Sequence, residues 1–118
     1  MKSFVFGRFK SLKFALYGMF LLLKTEHAII TQTLLSLLLT GIGFYVGLSK
    51  LDWIIQLFCI ALILAIESLN TAVEKLCDFV HPDYHPKIGF IKDIAAGAVS
   101  FAVLISIIIL SITYYSYF

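Results

Sequence analysis

Long apolar runs alternate with short polar segments along this chain. Residues 27–49 form a run of 23 residues without Lys, Arg, Asp or Glu, long enough for a helix to cross a hydrocarbon layer of ~30 Å. The run over residues 53–66 is shorter and reaches that length only if the helix continues through residues 67–75. Residues 94–118 carry no charge and end in aromatic residues typical of a membrane interface. The pattern predicts three transmembrane helices, at about residues 27–49, 52–77 and 91–115.

The N-terminal segment has a different periodicity. Apolar side chains recur there at spacings of three and four residues, with basic side chains among them. The apolar positions are Phe9, Leu12, Leu16, Phe20 and Leu23, and the basic ones include Arg8, Lys10 and Lys13. A basic amphipathic helix of this kind lies in the headgroup plane of a membrane. Residues 4–23 are therefore predicted to form an amphipathic surface helix, and the predicted fold class is an all-α integral membrane protein.

The composition also indicates a membrane protein. Hydrophobic residues make up 61% of the 118 residues and charged residues 14%, with a mean hydropathy of +1.01, whereas a soluble domain carries ~25% charged residues. The length suits one domain, residues 1–118. Lys and Arg concentrate in the N-terminal segment and around the second loop, which predicts a cytoplasmic N-terminus and a C-terminus outside. The net charge of +2 is small, and the expected partner is the bilayer, not nucleic acid.

Four polar side chains share one face of the second predicted span. Glu67, Asn70, Glu74 and Asp78, here called the acidic stripe, are 3, 4 and 4 residues apart, which places them within an arc of ~80°. Burying a carboxylate at membrane depth costs several kcal/mol, and carboxylates on adjacent turns repel unless a cation neutralises them. The stripe therefore predicts a divalent metal and a site that uses it. The structural alternative is a set of polar residues that join helices in an oligomer.

Further polar residues flank the predicted spans. Lys92 and Asp93 begin the third span, where a lysine and the N-terminal turn of a helix both favour phosphate. In the alternative interpretation, Lys92 and Asp93 are ordinary interface residues whose side chains extend to water. Glu26 precedes the first span at the depth expected for Glu74, and a carboxylate there suits the oxygen-rich ligand shell of Mg²⁺.

His81 and His85 frame the second loop, and each precedes a proline. Histidines in such a loop are more often solvated, or donate a hydrogen bond to phosphate, than bind a transition metal. The chain has no G-x4-G-K-[ST] phosphate-binding loop and no G-x-G-x-x-G motif, so nucleotide chemistry would need an unrelated architecture. Cys59 and Cys77 lie about 27 Å apart along one predicted helix and cannot pair within it.

Several segments together resemble one family. E-S-L-N-T-A-V-E-K-L-C-D at 67–78 and K-D-I-A-A-G-A-V at 92–99 fit its two strongest motifs. Asp83-Tyr84-His85 matches its acidic-Tyr-His element, and S-L-K-F-A-L-Y-G at 11–18 is similar to its N-terminal motif. The chain thereby resembles the prokaryotic diacylglycerol kinase family, the small three-span membrane lipid kinases that include undecaprenol kinases.

The resemblance implies a role for each matching residue. Glu67 resembles the general base that deprotonates the lipid hydroxyl, and Glu26 and Glu74 resemble the carboxylates that bind Mg²⁺. The implied ATP-binding residues are Asn70, Asp83, His85, Lys92 and Asp93, and the implied lipid-substrate residues are Lys10, Phe14 and Glu67. The resemblance also implies a homotrimer with active sites shared between chains, in a bacterial cytoplasmic membrane, using MgATP and a membrane lipid alcohol.

Two departures from the family pattern remove positive charge. Ile30 stands where relatives often carry an arginine, and Phe90-Ile91 stands where a basic residue often precedes the Lys-Asp pair. The acceptor lipid stays open between diacylglycerol and undecaprenol, with the A-A-G-A-V sequence after Asp93-Ile94 more like relatives that act on undecaprenol. Two other classes also stay open: a small proton- or cation-coupled transporter subunit, and a non-enzymatic assembly subunit.

Overall fold

The computed structural model describes all 118 residues, from Met1 to Phe118, as a chain of four α-helices. These are α1 (Lys2–Thr25), α2 (His27–Val46), α3 (Lys50–Val80) and α4 (Pro86–Tyr115). The last three are long and apolar enough to cross a membrane, and the chain has no strand. The all-α class and the three candidate spans are thus confirmed, while the division of the chain into a surface segment and membrane segments stays a prediction.

The helix boundaries follow from local chemistry. Glu26 adopts an extended conformation and separates α1 from α2. Gly47 ends α2 with φ of 72°, a left-handed conformation that glycine adopts without a Cβ clash. Ser49 then caps α3, because its side chain accepts a hydrogen bond from the Asp52 N–H. Pro86 begins α4. A backbone N–H at this position would have no partner within the helix, so the missing N–H of proline costs no hydrogen bond.

α3 is the central helix of the bundle. It packs against α4 along much of its length and against α2 on another side, while α1 contacts α2. Gly43 permits the close approach of α2 to α3, since a Cβ at this position would lie 2.8 Å from the Trp53 ring. The polypeptide therefore forms a thin helical layer in which α3 touches both other candidate spans.

A polar cluster joins the beginning of α3 to the end of α4. The Tyr117 hydroxyl donates to Asp52 at 2.6 Å and accepts from the Ser49 N–H at 3.0 Å. Gln56 is fully buried; its Nε2 donates to the Leu39 carbonyl, and its Oε1 accepts from the Tyr114 hydroxyl. A buried amide is tolerated at this depth because its oxygen and nitrogen both have partners.

Most of the apolar surface is uncovered in a single chain. Only 10 of the 118 residues are buried, and many large apolar side chains are exposed on all four helices. Exposed apolar area of this extent is typical of a surface covered by lipid or by other chains. On α1, exposed aromatic side chains occur on several sides of the helix, including Phe4, Phe6, Phe9 and Phe14. The predicted amphipathic surface role of α1 stays a prediction.

Candidate active site

One end of the helical layer gathers most of the acidic side chains. We call it the acidic end; it contains the start of α2, the last turns of α3 and the start of α4. Glu26 contacts Lys75, so the α3 residues after Lys75 extend beyond the start of α2. Glu67 lies eight residues before Lys75, about 12 Å further from the end of α3 by helical rise. The acidic stripe therefore runs from within this candidate span toward its C-terminal end.

Glu67 is the buried member of the acidic stripe, with 9% of its surface exposed. Its backbone carbonyl accepts a hydrogen bond from the Thr71 hydroxyl at 3.1 Å. Thr71 is also buried, and this bond gives its hydroxyl group a partner. The helix thus presents the Glu67 carboxyl group from a hydrogen-bonded backbone, further from the end of α3 than the other stripe carboxylates.

Asn70 and Glu74 form the middle of the acidic stripe. Asn70 Nδ2 donates to Glu74 Oε1 at 3.3 Å, an interaction between neighbouring helical turns. Asn70 Oδ1 is buried and has no hydrogen-bond partner. An unpaired buried oxygen is uncommon in folded proteins. Because Asn70 faces Glu74 through its nitrogen, this oxygen lies on the other side of the amide group and is free to accept a hydrogen bond from another donor.

Glu26 and Lys75 form an ion pair between the α1–α2 turn and α3. Lys75 Nζ lies 2.9 Å from Glu26 Oε1, and the Lys75 side chain is 67% exposed. The Thr25 hydroxyl donates to the same carboxylate oxygen at 3.3 Å. The hydrogen bond from Lys75 lowers the pKa of Glu26 below its usual value, against a smaller opposing effect of desolvation. Glu26 therefore stays ionised at neutral pH.

A second ion pair joins α3 to α4. Lys92 Nζ lies 2.6 Å from Asp78 Oδ1, so the predicted phosphate-binding lysine is held by the last member of the acidic stripe. Asp93, next to it in sequence, is exposed. The pair joins the start of α4 to the end of α3.

The loop between α3 and α4 is ordered by its two histidines. The His81 ring nitrogen Nδ1 lies 2.7 Å from the Asp83 carbonyl oxygen. His85 caps α4, because its Nδ1 accepts from the Lys87 N–H at 3.1 Å. The two rings meet edge to face with centroids 5.3 Å apart. The Asp83 side chain is exposed at the same end, so two of the predicted ATP-binding residues, Asp83 and His85, belong to the acidic end.

Lys10 and Phe14, the predicted lipid-substrate residues, lie on α1. They pair with each other, with Lys10 Nζ 6.0 Å from the centre of the Phe14 ring. Phe14 is 12 residues before Glu26, about 18 Å away along α1 by helical rise. Both side chains are exposed, and neither forms an ion pair with the acidic stripe of its own chain.

The donor atoms at the acidic end suit a hard cation, although one chain does not provide a complete cage. No group of three or more His, Cys, Asp or Glu side chains is positioned to hold a metal ion. Mg²⁺ is usually bound by one or two carboxylates together with substrate phosphates and waters. The Glu74 carboxylate fits such a partial shell, and Glu26 fits only when Lys75 releases it.

The contact of Lys75 with Glu26 could not be predicted from the sequence, where Lys75 is one of the basic residues around the second loop. No local pattern signals this contact, because the two residues are 49 positions apart in the sequence and meet only when α3 packs beside the start of α2. The pairing of Lys92 with Asp78 likewise depends on how the second loop returns the chain.

These features define a helical membrane protein with three candidate spans and an acidic site at one end. The model of the family described as prokaryotic diacylglycerol kinase matches residues 13–114, and the chain belongs to that family. The predicted resemblance, and with it the class of lipid kinases, is confirmed.

Individual relatives are similar over different parts of the chain. An undecaprenol kinase of Bacillus subtilis is 42% identical over 67 residues, covering 57% of this chain and 54% of that protein. A diacylglycerol kinase of Haemophilus influenzae is 30% identical over 95 residues, covering 80% of each. A diacylglycerol kinase of Escherichia coli K12 is 26% identical over 93 residues, covering 79% of this chain and 76% of that protein.

Proposed function

We propose that this chain transfers the γ-phosphoryl group of MgATP to the hydroxyl group of a membrane lipid alcohol, at the cytoplasmic face of a bacterial membrane. The observation that carries the proposal is the position of Glu67. It is a buried carboxyl group that lies about 10 Å deeper along α3 than Glu74. A lipid hydroxyl reaches the membrane side of the stripe, and a polyphosphate reaches the other side.

Glu67 is the proposed general base. Its carboxylate accepts the proton of the lipid hydroxyl while the hydroxyl oxygen attacks the γ-phosphorus. The bond from that phosphorus to the bridging oxygen breaks, and ADP leaves with the bonding electrons. Phosphoryl transfer depends mainly on positioning and charge neutralisation, so a base on a rigid helix and cations near the phosphates suffice.

Glu74 and Glu26 are the proposed Mg²⁺ ligands. Bound Mg²⁺ supplies positive charge that offsets the charge of the phosphate oxygens. Lys92, Asp93, Asp83 and His85 belong to the same end and are the proposed nucleotide-site residues. Lys92 is the residue that offsets charge on the transferred group, after it releases Asp78.

The acceptor is proposed to be diacylglycerol or undecaprenol. The names of the relatives support both, because an undecaprenol kinase has the higher identity over a shorter segment and diacylglycerol kinases match over more of the chain. Both acceptors present a primary hydroxyl at the headgroup level with apolar chains below it. The depth of Glu67 suits that arrangement for either lipid.

The active unit is proposed to be a homotrimer with shared sites. One observation supports an assembly, the large uncovered apolar surface of one chain. A neighbouring chain can bring its own α1 to the stripe, which would place the proposed lipid-substrate residues at the site.

The decisive assay measures transfer of label from ATP, labelled in its γ-phosphate, to diacylglycerol and to undecaprenol in the same mixed micelles. Label in either lipid, dependent on Mg²⁺, is the expected result, and the ratio of the two rates identifies the acceptor. If purified protein labels neither lipid, the proposed function is wrong. A transporter subunit or an assembly subunit would give that result.

A further inference from the structure

Lys75 is a cationic side chain that the assigned site does not use. It is the only basic residue on α3 after Lys50, and its side chain reaches Glu26 at the α1–α2 turn. There it lines an open groove between the last turns of α1 and α3. The polar residues of that groove are Thr25, Glu26, Ser68, Thr71 and Lys75 itself.

We propose that Lys75 is a nucleotide-binding residue, which exchanges the Glu26 carboxylate for a phosphate oxygen of the triphosphate. The inference rests on the proposed function, since it assigns a ligand to the same site. It adds a residue that neither the family motifs nor the relatives' names assign.

The acidic end carries more carboxylates than lysines that pair with them. Glu26, Glu74 and Asp78 all belong to this end. Only two lysines, Lys75 and Lys92, form ion pairs with them. Mg²⁺ offsets part of the charge of a triphosphate, and a lysine that turns from its carboxylate to a phosphate oxygen offsets more. Lys75 is the lysine in contact with Glu26.

The exchange is feasible because the existing pair is weak. Lys75 is largely exposed, and Glu26 retains 22% of its side-chain surface; ion pairs between exposed side chains contribute little to stability. Hydrogen bonds from an ammonium to a phosphate are among the stronger ones in proteins. A lysine also carries its charge on a flexible four-carbon stem, so Nζ can change partner without movement of α3.

The test measures binding of a non-hydrolysable ATP analogue with Mg²⁺ to the full chain in lipid nanodiscs, by calorimetry. Lys75→Gln is expected to weaken binding about tenfold, equivalent to about 1.4 kcal/mol, and Lys75→Arg to retain most of the affinity. Lys87→Gln is the matched control, because Lys87 lies at the same end of the helices without an ion pair; its affinity should equal that of the wild type. Thermal unfolding of each variant is measured in parallel.

Each other result contradicts the inference in a different way. Unchanged affinity of Lys75→Gln with a lower unfolding temperature means that Lys75 only joins two segments. Unchanged affinity with a lower Mg²⁺ requirement means that it only competes for Glu26. Equal weakening by Lys87→Gln would indicate a general loss of positive charge. If the wild type binds no nucleotide, the proposed function fails as well, whereas the three other results leave it intact.

Discussion

Lys75 Nζ lies 2.9 Å from Glu26 Oε1 and joins the last turns of α3 to the turn between α1 and α2. The contact fixes the axial position of the acidic stripe relative to α2, because it places Lys75 of α3 beside Glu26 at the start of α2. Residues of α3 before Lys75 lie beside α2, and residues after it extend beyond. The buried Glu67 and the exposed end of the stripe therefore serve two different substrates in the proposed reaction.

Glu67→Gln is expected to abolish lipid phosphorylation while the fold and nucleotide binding persist, since the amide keeps the size of the side chain but cannot accept a proton from the hydroxyl. Loss of a general base typically lowers the rate by 10²- to 10⁴-fold, roughly. The measurement is the initial rate of label transfer to lipid at saturating MgATP. Asp52→Asn removes a carboxylate at the opposite end of α3 and should leave the rate unchanged. A wild-type rate for Glu67→Gln would refute the base assignment.

Glu74→Ala is expected to raise the Mg²⁺ concentration needed for half-maximal activity, because a proposed carboxylate ligand is lost. A Mg²⁺ titration at fixed ATP measures the effect, and Glu26→Ala should act in the same direction. Asp52→Asn again provides the control. An unchanged titration curve for Glu74→Ala would count against its role in metal binding.

Gly43→Ala is expected to destabilise the protein, because the new Cβ would lie 2.8 Å from the Trp53 ring and 3.0 Å from the Leu48 side chain. Overpacking of this kind costs about 1–3 kcal/mol. Gly41→Ala is the matched control on the same helix, since a Cβ there meets no atom within 4 Å and alanine favours the helix by roughly 0.5–1 kcal/mol. Thermal unfolding in detergent can be monitored through the reaction of the thiols of Cys59 and Cys77, which are buried in the folded protein. The unfolding temperature is expected to be lowest for Gly43→Ala, intermediate for the wild type and highest for Gly41→Ala.

Tyr114→Phe is expected to destabilise the packing of α3 on α4. It removes the donor to Gln56 Oε1, and a buried acceptor without a partner costs about 1–3 kcal/mol. Tyr115→Phe is the control, because the Tyr115 side chain is exposed and should change the unfolding temperature little. Equal effects of the two substitutions would show that the hydrogen bond to Gln56 contributes nothing specific.

Many features of this chain could be predicted from sequence because they depend on periodicity alone. The uncharged runs predicted three spans, since a helix needs a fixed number of apolar residues to cross a membrane. The 3-, 4- and 4-residue spacing placed Glu67, Asn70, Glu74 and Asp78 on one face of a single helix. The motifs at 67–78 and 92–99 predicted the family that the comparison confirmed. The role of each site residue stays a prediction.

The contacts between helices required the tertiary structure. Lys75 with Glu26 and Lys92 with Asp78 are pairs of oppositely charged residues, but each lysine has several acids within the same sequence region. The choice of partner depends on the rotation and axial position of one helix against another, which long-range packing determines. The same holds for Tyr114 and Gln56, which are 58 residues apart. Local spacing determines what lies on a helix face; packing decides what that face meets.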